Sequence, residues 1–384
     1  MSDRPRGTAP TEPSVEVMDP EGPKQRSSAG TAWLSFGLGL LAPVVVLALL
    51  SLGFFILRDA NAPKVVMVLF AIVWGVGGVA LLFWSANYFV EHLPKRVGRG
   101  LLPYVFVGPG VLLLLWFLAI PTLRTLVASL QDKNSQSFVG LDNYKWAFTD
   151  PSMLTAFRNN LMWVVVGSTL SVLFGLIVAV LADKSRFERT AKALIFLPMA
   201  ISFVGAGVIW NFMYEIKPAG EPQIGVLNAI WQGVFHGSPQ SWVSSHQPWN
   251  NLFLIAIVVW LQTGFAMVLF SAAIKGVPTD QLEAARVDGA TEVQTFFKVT
   301  LPAIAGTVIT VSTTVVIFTL KIFDVVWVMT GGQYGTDVIA TNFFRQYFTY
   351  DENGRGSAIA IVLLIAVIPV MIYNLKQFGE REAF

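Results

Sequence analysis

The sequence predicts an all-α membrane protein with about eight transmembrane helices. Hydrophobic residues make up 54% of the 384 residues and charged residues only 13%, about half the charged fraction of a soluble domain. The mean hydropathy is +0.61. The apolar residues fall in runs of about 20, which is the length a helix needs to cross the hydrocarbon core of a bilayer. Together these observations favour a chain that crosses the membrane many times.

The first 30 residues have a different composition from the rest of the chain. They are rich in proline, serine, threonine and glycine, with charges of both signs. Such a segment cannot bury enough apolar surface to fold, so we predict a disordered cytoplasmic tail at 1–30. It has no short apolar stretch that ends in a small-residue cleavage site, which argues against a secretory signal.

Eight apolar runs follow the tail, and each predicts one spanning helix. The two runs within residues 31–100 precede a longer region, 101–384, that holds the other six. Pro109 and Pro121 lie in the third run and predict a kink or break there. The eight predicted spans are 32–57, 64–90, 101–130, 157–182, 190–214, 251–274, 303–329 and 357–376.

The distribution of lysine and arginine predicts the orientation of these spans. With the N-terminus in the cytoplasm, the inside segments carry about twice as many basic residues as the outside loops, as the positive-inside rule requires. Both termini and the polar loop 275–302 are then cytoplasmic. The loops 131–156 and 215–250 are outside, where Trp231, Trp242 and Trp249 favour anchoring at the membrane interface over contact with a ligand.

Polar side chains within the spans are candidates for a substrate path, because they usually face a bundle interior or an aqueous cavity. Amide, tryptophan and tyrosine side chains suit the hydroxyls and the apolar face of a sugar, whereas phosphate would favour a basic cluster. Asn159, Asn160, Glu215, Trp260, Thr263 and Thr341 belong to the wider polar set. The predicted substrate-binding residues are Trp210, Asn211, Tyr214, Gln262, Asp324, Trp327 and Asn342.

Each of these polar residues has an alternative role as a hydrogen-bonding contact between helices. Lys321 and Asp324 are three residues apart in the seventh predicted span, which would place them on one helix face. An internal ion pair between these two side chains is favoured over direct contact with a ligand. Taken singly, the remaining polar residues are also better explained as contacts between helices.

The first half of the loop 275–302 has the local signals of a short helix. Asp280, with Glu283 three residues later, predicts a capping box at its start. Gly289 predicts its end, because glycine adopts a positive φ at little steric cost.

The second half of the loop predicts another short helix at an angle to the first. Thr291 and Gln294 have the spacing of a capping box. Val293, Phe296 and Phe297 then form an apolar stripe. We call residues 275–302 the elbow and interpret it as a docking surface. The alternative is a loop that only joins two spans.

Several kinds of chemistry have no support in the sequence. It contains no cysteine and no G-x-x-x-x-G-K-[ST] phosphate-binding loop, which predicts that this chain neither binds nor hydrolyses ATP. His92, His236 and His246 do not have the spacing of metal ligands. The net charge is only +2, which indicates no nucleic-acid partner. We predict no enzyme active site, no metal and no cofactor in this chain.

The elbow resembles the EAA loop of importer permeases of the ATP-binding-cassette (ABC) superfamily. The pattern of that loop is E-A-A-x-x-x-G, nine residues, then I-x-L-P, and Val299 replaces its isoleucine. Asp288 and Ala290 also fit the D-G-A form that is common among sugar permeases. The residues that match or extend the pattern, and that the resemblance implies in coupling to an ATPase, are Glu283, Ala284, Ala285, Asp288, Gly289, Ala290, Leu301 and Pro302.

The resemblance extends over residues 101–384. The stretches Leu197–Ala200, 207–210 and 323–332 are similar to permeases of maltose-type and α-glucoside-type importers. The two additional N-terminal spans are similar to those of the larger, maltose-permease-like half of such heterodimers. The chain lacks the very large outside domain of the bacterial maltose permease, so the resemblance does not identify the sugar.

The resemblance implies a set of partners and a location. The partners are a second, similar permease, two ATP-binding subunits that hold ATP and Mg, an extracytoplasmic solute-binding protein, membrane lipid and the sugar itself. The location is the inner membrane of a prokaryotic cell. The implied function is import of a disaccharide or oligosaccharide of the maltose, α-glucoside or trehalose class.

Three alternatives to sugar import remain at this point. The first is a permease of the same superfamily for another solute, such as glycerol phosphate or a polyamine. The second is a secondary transporter driven by an ion gradient, which would work without an ATPase. The third is a membrane scaffold or sensor that transports nothing. The spacing of the elbow argues against the last two.

Overall fold

The computed structural model describes residues 29–59, 62–93, 95–218 and 220–382. All but the last two residues of the predicted tail 1–30 lie outside these ranges. Every regular element within them is a helix, which confirms the predicted fold class. Six helices are long and apolar enough to cross a membrane, and two bent helix pairs bring the number to eight if each pair is one span.

The chain divides into two compact units, at residues Met1–Ile120 and Pro121–Phe384. In the first unit, α1 and α2 pack so closely that a β-carbon on Gly53 would lie 2.0 Å from Nε1 of Trp74. A side chain larger than hydrogen would therefore push the two helices apart. The helices that lie wholly within this unit are α1 (Ala29–Asp59), α2 (Lys64–Glu91) and α3 (Lys95–Leu114).

The third predicted span is one helix with an irregular turn rather than two pieces. Gly100–Ala128 forms a single continuous span, with a π turn at Leu115–Ala119 before α4 (Ile120–Ala128). Pro121 has no N–H to donate to the carbonyl four residues earlier, and its ring crowds that carbonyl. The π turn, in which the N–H of Ile120 donates to the carbonyl of Leu115, accommodates the proline within a continuous helix.

The fourth span begins earlier than its apolar pattern suggested. Asp150 caps it by accepting a 2.9 Å hydrogen bond from the backbone N–H of Ser152, and Pro151 occupies the first turn. The span is therefore Pro151–Asp183. Its pieces, with the short helix before it, are α5 (Asp142–Thr149), α6 (Pro151–Met162), a π turn at Trp163–Gly167 and α7 (Ser168–Asp183).

The fifth predicted span is broken into two limbs that meet at 102°. Pro198 removes a backbone donor at the end of the first limb, and Ser202 caps the second by accepting from the N–H of Gly205. We call the first limb, Glu188–Ala200, the arm. It consists of α8 (Glu188–Phe196) and a 3₁₀ turn (Leu197–Ala200), and α9 (Phe203–Met213) is the second limb.

The sixth span lies at the centre of the second unit and is its most buried helix. Two glycines bring neighbouring helices against it. A β-carbon on Gly175 would lie 2.3 Å from Cβ of Ala266, and one on Gly264 would lie 2.5 Å from the carbonyl oxygen of Ile195 in the arm. This span is α11 (Trp249–Lys275), and α10 (Val226–Phe235) precedes it in the loop.

We expect Gly175→Ala to destabilise the protein because the added methyl group meets backbone as well as side-chain atoms of α11. The expected loss is about 1–3 kcal/mol, the usual effect of overpacking. Gly77→Ala is the matched control, since a β-carbon there meets nothing within 4 Å. Thermal unfolding of the purified variants measures the difference. Equal stability of the two variants would contradict the close packing of α7 on α11.

The seventh predicted span, 303–329, is too long by about nine residues. The helix ends at Leu320, whose carbonyl oxygen accepts a 3.0 Å hydrogen bond from Nδ2 of Asn160 instead of a bond from the next helical turn. The chain also bends by 70° where the helical segment Glu292–Ala303 meets the helix Ala305–Leu320. The helices here are α12 (Thr279–Val287), α13 (Glu292–Thr295), a π turn at Phe296–Thr300, α14 (Leu301–Ala303), α15 (Ala305–Leu320) and α16 (Asp324–Thr330).

The remaining chain returns across the membrane in one long helix. Before it, Arg345 donates to both carboxylate oxygens of Asp337, at 2.8 and 3.0 Å, and to the carbonyl of Gly331. This ion pair closes the turn between α16 and the next helix. The elements are α17 (Ile339–Phe344), a π turn at Arg345–Thr349 and α18 (Asn353–Glu382).

Candidate coupling elbow and substrate cavity

The first elbow helix, α12, ends in a motif that glycine makes possible. Gly289 has a φ of +79°, and its N–H donates to the carbonyl of Arg286 at 3.0 Å. The N–H of Ala290 donates to the carbonyl of Ala285, also at 3.0 Å. This pair of bonds is a Schellman motif, which satisfies the last carbonyls of the helix and reverses the chain. The predicted role of Gly289 in ending the first helix is confirmed.

The second elbow helix begins at the predicted capping box. The Thr291 hydroxyl accepts from the N–H of Gln294 at 3.3 Å, and the Gln294 side chain accepts from the N–H of Thr291 at 2.8 Å. Both halves of the box are present because the two residues have the required spacing. The Schellman motif and the capping box are separated by a single peptide bond. The angle of the elbow is therefore fixed by backbone hydrogen bonds on one side and by hydrogen bonds from backbone N–H groups to side chains on the other.

The predicted start of the first elbow helix was wrong. Asp280 is not its N-cap, because α12 begins at Thr279 and the capping position is Pro278, which has no side-chain hydrogen bond. Proline takes an extended backbone that suits the residue before a helix. Asp280 instead lies in the first turn, where its negative charge interacts favourably with the helix dipole.

The elbow exposes both a carboxylate and apolar side chains. Glu283 is exposed, and among the residues that the structure describes its side chain forms no hydrogen bond or ion pair. Val287 is 87% exposed, Val293 65% and Phe297 61%, whereas Phe296 is half-buried. Of the other residues in the EAA pattern, Ala284, Asp288, Gly289 and Pro302 are exposed, and Ala285, Ala290 and Leu301 are half-buried.

Among the predicted substrate residues, Gln262 and Asp324 line one cavity. It has a volume of about 270 Å³ and lies where α9, α11, the end of α15 and the start of α16 meet. Its remaining lining is Phe203, Val258, Phe318, Lys321, Ile322 and Phe323. A second cavity of about 200 Å³ shares Phe203, Gln262 and Phe318 with it. We call these two spaces together the Gln262 cavity.

Gln262 is only 4% exposed, and its side chain has no hydrogen-bond partner among the described residues. A buried amide is costly to leave unsatisfied, so its position beside a cavity favours contact with water or a ligand. The 270 Å³ space is therefore lined by three phenylalanines and this amide, together with one cationic and one anionic side chain.

The predicted arrangement of Lys321 and Asp324 on one helix face was wrong. Lys321 is the C-cap of α15 and Asp324 is the first residue of α16, with a non-helical break between them. No ion pair joins the two side chains in the described part of the chain. Both residues instead line the Gln262 cavity from separate elements.

The other predicted substrate residues occupy varied surroundings. The Tyr214 hydroxyl donates to the carbonyl of Phe253 at 2.9 Å, and Asn342 is 1% exposed and donates to the carbonyl of Ser152 at 3.4 Å. Trp327 stacks on Phe323, with ring centroids 5.6 Å apart. Trp210 packs edge-on against Trp260 at 5.7 Å, whereas Asn211 is exposed. Trp260 and Thr263 line a separate, mainly apolar groove of about 700 Å³.

Asn159 and Asn160 hold the turn after α16 against the fourth span. Nδ2 of Asn159 donates to the carbonyls of Gly335 and Asp337, both at 2.7 Å. Oδ1 of Asn160 accepts from the N–H of Ile339 at 2.7 Å. These bonds are the interhelical contacts that the sequence offered as the alternative role for the two asparagines.

The Asp337–Arg345 pair was not predicted. Their side chains are only 13% and 22% exposed, and Asp337 raises the pKa of the Arg345 guanidinium by direct hydrogen bonding. The only sequence signal is an acidic and a basic residue eight positions apart near a glycine-rich stretch. That spacing does not correspond to a helical turn, and the contact depends on how the loop folds back.

The fold and the elbow are those expected of a membrane-spanning component of a transporter. The chain belongs to the family of binding-protein-dependent transport system inner membrane components, whose model matches residues 171–380. It is therefore an ABC transporter permease, a membrane component rather than a catalytic subunit. The predicted resemblance is confirmed.

Two of the relatives that match most of the chain show the likeness. The osmoprotective compounds uptake permease protein GgtC of Synechocystis is 52% identical over 278 residues, which cover 72% of this chain and 99% of the relative. The α-glucoside transport system permease protein AglF of Rhizobium meliloti is 42% identical over 334 residues, which cover 83% of this chain and 98% of the relative.

Among solved structures, the chain resembles a bacterial ABC transporter involved in the import of the acidic polysaccharide alginate. The TM-score is 0.63 at 21% identity, over 73% of this chain and 98% of the other. At that identity the likeness concerns the fold alone.

Proposed function

We propose that this chain is one permease half of an ATP-driven importer and that its elbow meets an ATP-binding subunit in the cytoplasm. The second half is a similar permease, two ATP-binding subunits hold ATP and Mg, and a solute-binding protein delivers the cargo from outside. As the ATP-binding subunits close and open, the elbow moves with them and the spans alternate between outward-open and inward-open states.

The observation that carries this proposal is the surface of the elbow. Val287, Val293 and Phe297 are exposed on a loop that is otherwise polar. Exposed apolar groups rimmed by polar residues favour a protein partner. Glu283 adds an exposed carboxylate that can accept hydrogen bonds from that partner. A rigid elbow suits the transmission of movement better than a flexible connection would.

The proposed cargo is a neutral sugar, and an α-glucoside is the favoured class. The Gln262 cavity supports a neutral cargo because it is lined by one cation, Lys321, and one anion, Asp324. Phosphate would favour several cations and a polyamine several anions. An amide and two charged groups can hydrogen-bond to sugar hydroxyls, and Phe203, Phe318 and Phe323 offer apolar surface to the sugar ring. The α-glucoside class is supported by the printed name of one relative.

The remaining predicted substrate residues form a second part of the proposal. Trp210 and Trp327 are half-buried and offer part of their ring surface, and Asn211 offers an exposed amide. Tyr214 and Asn342 hydrogen-bond to backbone carbonyls, so each would contact a sugar only after that bond is exchanged. We therefore expect the Gln262 cavity to contribute more to specificity than these five positions.

The experiment that tests the proposed function is purification of the intact complex through a tag on this chain. The complex is reconstituted in vesicles with its solute-binding protein, and ATPase activity is measured with an α-glucoside, glycerol phosphate or spermidine. We expect stimulation by the α-glucoside alone. Stimulation by glycerol phosphate or spermidine would favour another cargo, and uptake by this chain without an ATPase would favour a secondary transporter.

We expect Gln262→Leu to weaken uptake of the sugar by roughly tenfold in kcat/KM, since a site that hydrogen-bonds its substrate loses about 1–3 kcal/mol when one partner is removed. The leucine side chain has a similar volume, so packing around the cavity is retained. Gln232→Leu is the matched control, because Gln232 is exposed on α10 and lines neither part of the Gln262 cavity. Equal uptake by both variants would argue against a role for this cavity.

A further inference from the structure

A cluster of charged side chains lies where the fourth span ends and the arm begins. We call residues 183–192, which include the first turn of the arm, the connection. Lys192, on the arm, contacts the carboxylates of Asp183 and Glu188 and the hydroxyl of Ser271. The distance from Lys192 Nζ to Glu188 Oε1 is 2.5 Å, and the Ser271 hydroxyl donates to Asp183 Oδ1 at 2.7 Å. One ammonium group therefore joins the end of α7, the arm and α11.

The inner part of this cluster is protected from solvent. The side chains of Lys192 and Asp183 are only 18% and 12% exposed. Oδ2 of Asp183 is buried and has no hydrogen-bond partner among the described residues. An anion in such surroundings depends on its neighbouring cation, so the contact between Asp183 and Lys192 holds its geometry more firmly than a surface pair would.

The outer part of the cluster reaches the first end of the elbow. Glu188 accepts from Lys192 and also from Lys275, which is the last residue of α11 and the first residue of the elbow. The carboxylate of Glu188 is thus shared between the arm and the position at which the elbow starts.

A second contact reaches the middle of the elbow from the same connection. Lys184, next to Asp183, pairs with Glu292 at 2.9 Å. Glu292 begins the second elbow helix and also lies 3.5 Å from Arg286 in the first. The connection 183–192 therefore contacts the elbow both where it starts and where it bends.

We propose that Lys192 is a positioning residue that makes the arm and the connection 183–192 move together with the elbow, so that movement of the elbow reaches the broken fifth span. This role rests on the proposed function, because it requires that the elbow be moved by an ATP-binding subunit. Close packing supports it, since the backbone of the arm meets α11 at Gly264 and α7 meets α11 at Gly175. The charged cluster joins this packed body to the elbow.

The first test replaces Lys192 by methionine in the intact reconstituted complex, which removes the ammonium group and keeps an unbranched side chain. Sugar uptake and ATP hydrolysis are measured in the same vesicles. We expect the number of sugars transported per ATP hydrolysed to fall roughly fivefold or more, as loss of a coupling interaction predicts. Lys376→Met is the matched control at an exposed position on α18 and should keep the wild-type ratio.

A companion variant separates coupling from stability. Asp183→Asn combined with Lys192→Met removes the unpaired buried charge that the single change leaves behind. If Lys192 positions the arm, the double variant regains thermal stability and remains uncoupled. Recovery of the wild-type ratio of transport to hydrolysis in the double variant would overturn the proposal, because the defect would then arise from the stranded carboxylate alone.

A cross-link tests the same idea without removing any cluster residue on the arm. The chain contains no cysteine, so Lys184→Cys with Glu292→Cys supplies the only two thiols of this chain. A short bifunctional thiol reagent should join them without lowering the uptake that the double variant shows before treatment, because the connection and the elbow move as one body. Loss of most of that uptake on cross-linking would overturn the proposal.

These outcomes are distinguishable from failure of the proposed function. A wild-type complex that transports sugar without ATP, or not at all, would reject the proposed function and this role with it. A wild-type complex with ATP-driven uptake, together with an unchanged ratio in Lys192→Met, would reject the role of Lys192 alone.

Discussion

Replacement of Gly289 by proline is expected to abolish uptake while the protein still reaches the membrane. Gly289 has a φ of +79°, whereas the proline ring fixes φ near −65°. Proline also lacks the N–H that donates to the carbonyl of Arg286. Both halves of the Schellman motif would be disturbed, so the two elbow helices would lose their fixed angle. Uptake in whole cells and the amount of protein in the membrane fraction are the two measurements.

Gly289→Asn is the matched control for this prediction. Asparagine tolerates a positive φ better than other residues with a side chain, and a β-carbon at this position meets nothing within 4 Å. We expect the asparagine variant to retain most of its uptake. Normal uptake by the proline variant, or an equal loss in both variants, would show that the angle of the elbow is not what matters.

Glu283→Lys is a companion change that leaves the backbone of the elbow intact. It reverses the charge of an exposed side chain that has no partner among the described residues. We expect it to abolish uptake as well, through lost contact with the ATP-binding subunit. Gln281→Lys, at an exposed position on another face of α12, should be tolerated.

The second large effect is expected at Arg345. The change Arg345→Met leaves Asp337 with a carboxylate that is only 13% exposed and has lost its cation. Breaking such a pair costs about 3 kcal/mol, the lower end of the range for buried pairs, because the arginine itself is partly exposed. Thermal or denaturant unfolding of the purified protein measures this loss.

Lys217→Met provides the comparison for that effect. Lys217 pairs with Glu215 at 3.0 Å, but the two side chains are 36% and 30% exposed, and solvent screens their attraction. We expect this change to cost much less stability than Arg345→Met. Similar losses in the two variants would contradict the view that the Asp337–Arg345 pair closes the turn after α16.

The features that the sequence predicted well are those set by neighbouring residues. Thr291 and Gln294 form a capping box, and Gly289 ends a helix, because the interacting atoms lie within a few positions of one another. The spans were likewise visible because each needs only a long apolar run. The start of α12 was missed since Asp280 and Pro278 both carry local signals, and the proline took the capping position.

The features that were missed depend on contacts between distant parts of the chain. The seventh span ends at Leu320 because its carbonyl bonds to Asn160, which is 160 positions away. The bend in the fifth span is an exception, because Pro198 and Ser202 are local signals and the apolar run that continues through them hid the break. Lys321 and Asp324 are close in sequence, yet they belong to separate elements because the seventh span ends at Leu320.

The lining of the candidate cavity also includes one residue that the sequence identified and others that only the assembled helices revealed. Gln262 was identified because an amide within an apolar span is unusual. Its companions Phe203, Phe318 and Phe323 could not be distinguished from other apolar residues until the helices were assembled. The amides of Asn159, Asn160 and Asn342 drew the same attention, but they hydrogen-bond to backbone of other elements.

The central claim is that the elbow meets an ATP-binding subunit on the cytoplasmic side, and thiol chemistry tests it most directly. Val293→Cys introduces one exposed thiol in the second elbow helix, and Phe138→Cys introduces one in the loop predicted to lie outside. A photo-reactive cross-linker attached to the thiol at position 293 should join it to the ATP-binding subunit in inside-out vesicles. An impermeant maleimide should label position 138 alone in spheroplasts, which expose the outer face of the inner membrane. Labelling of position 293 from outside, or no adduct with the ATP-binding subunit, would contradict the claim.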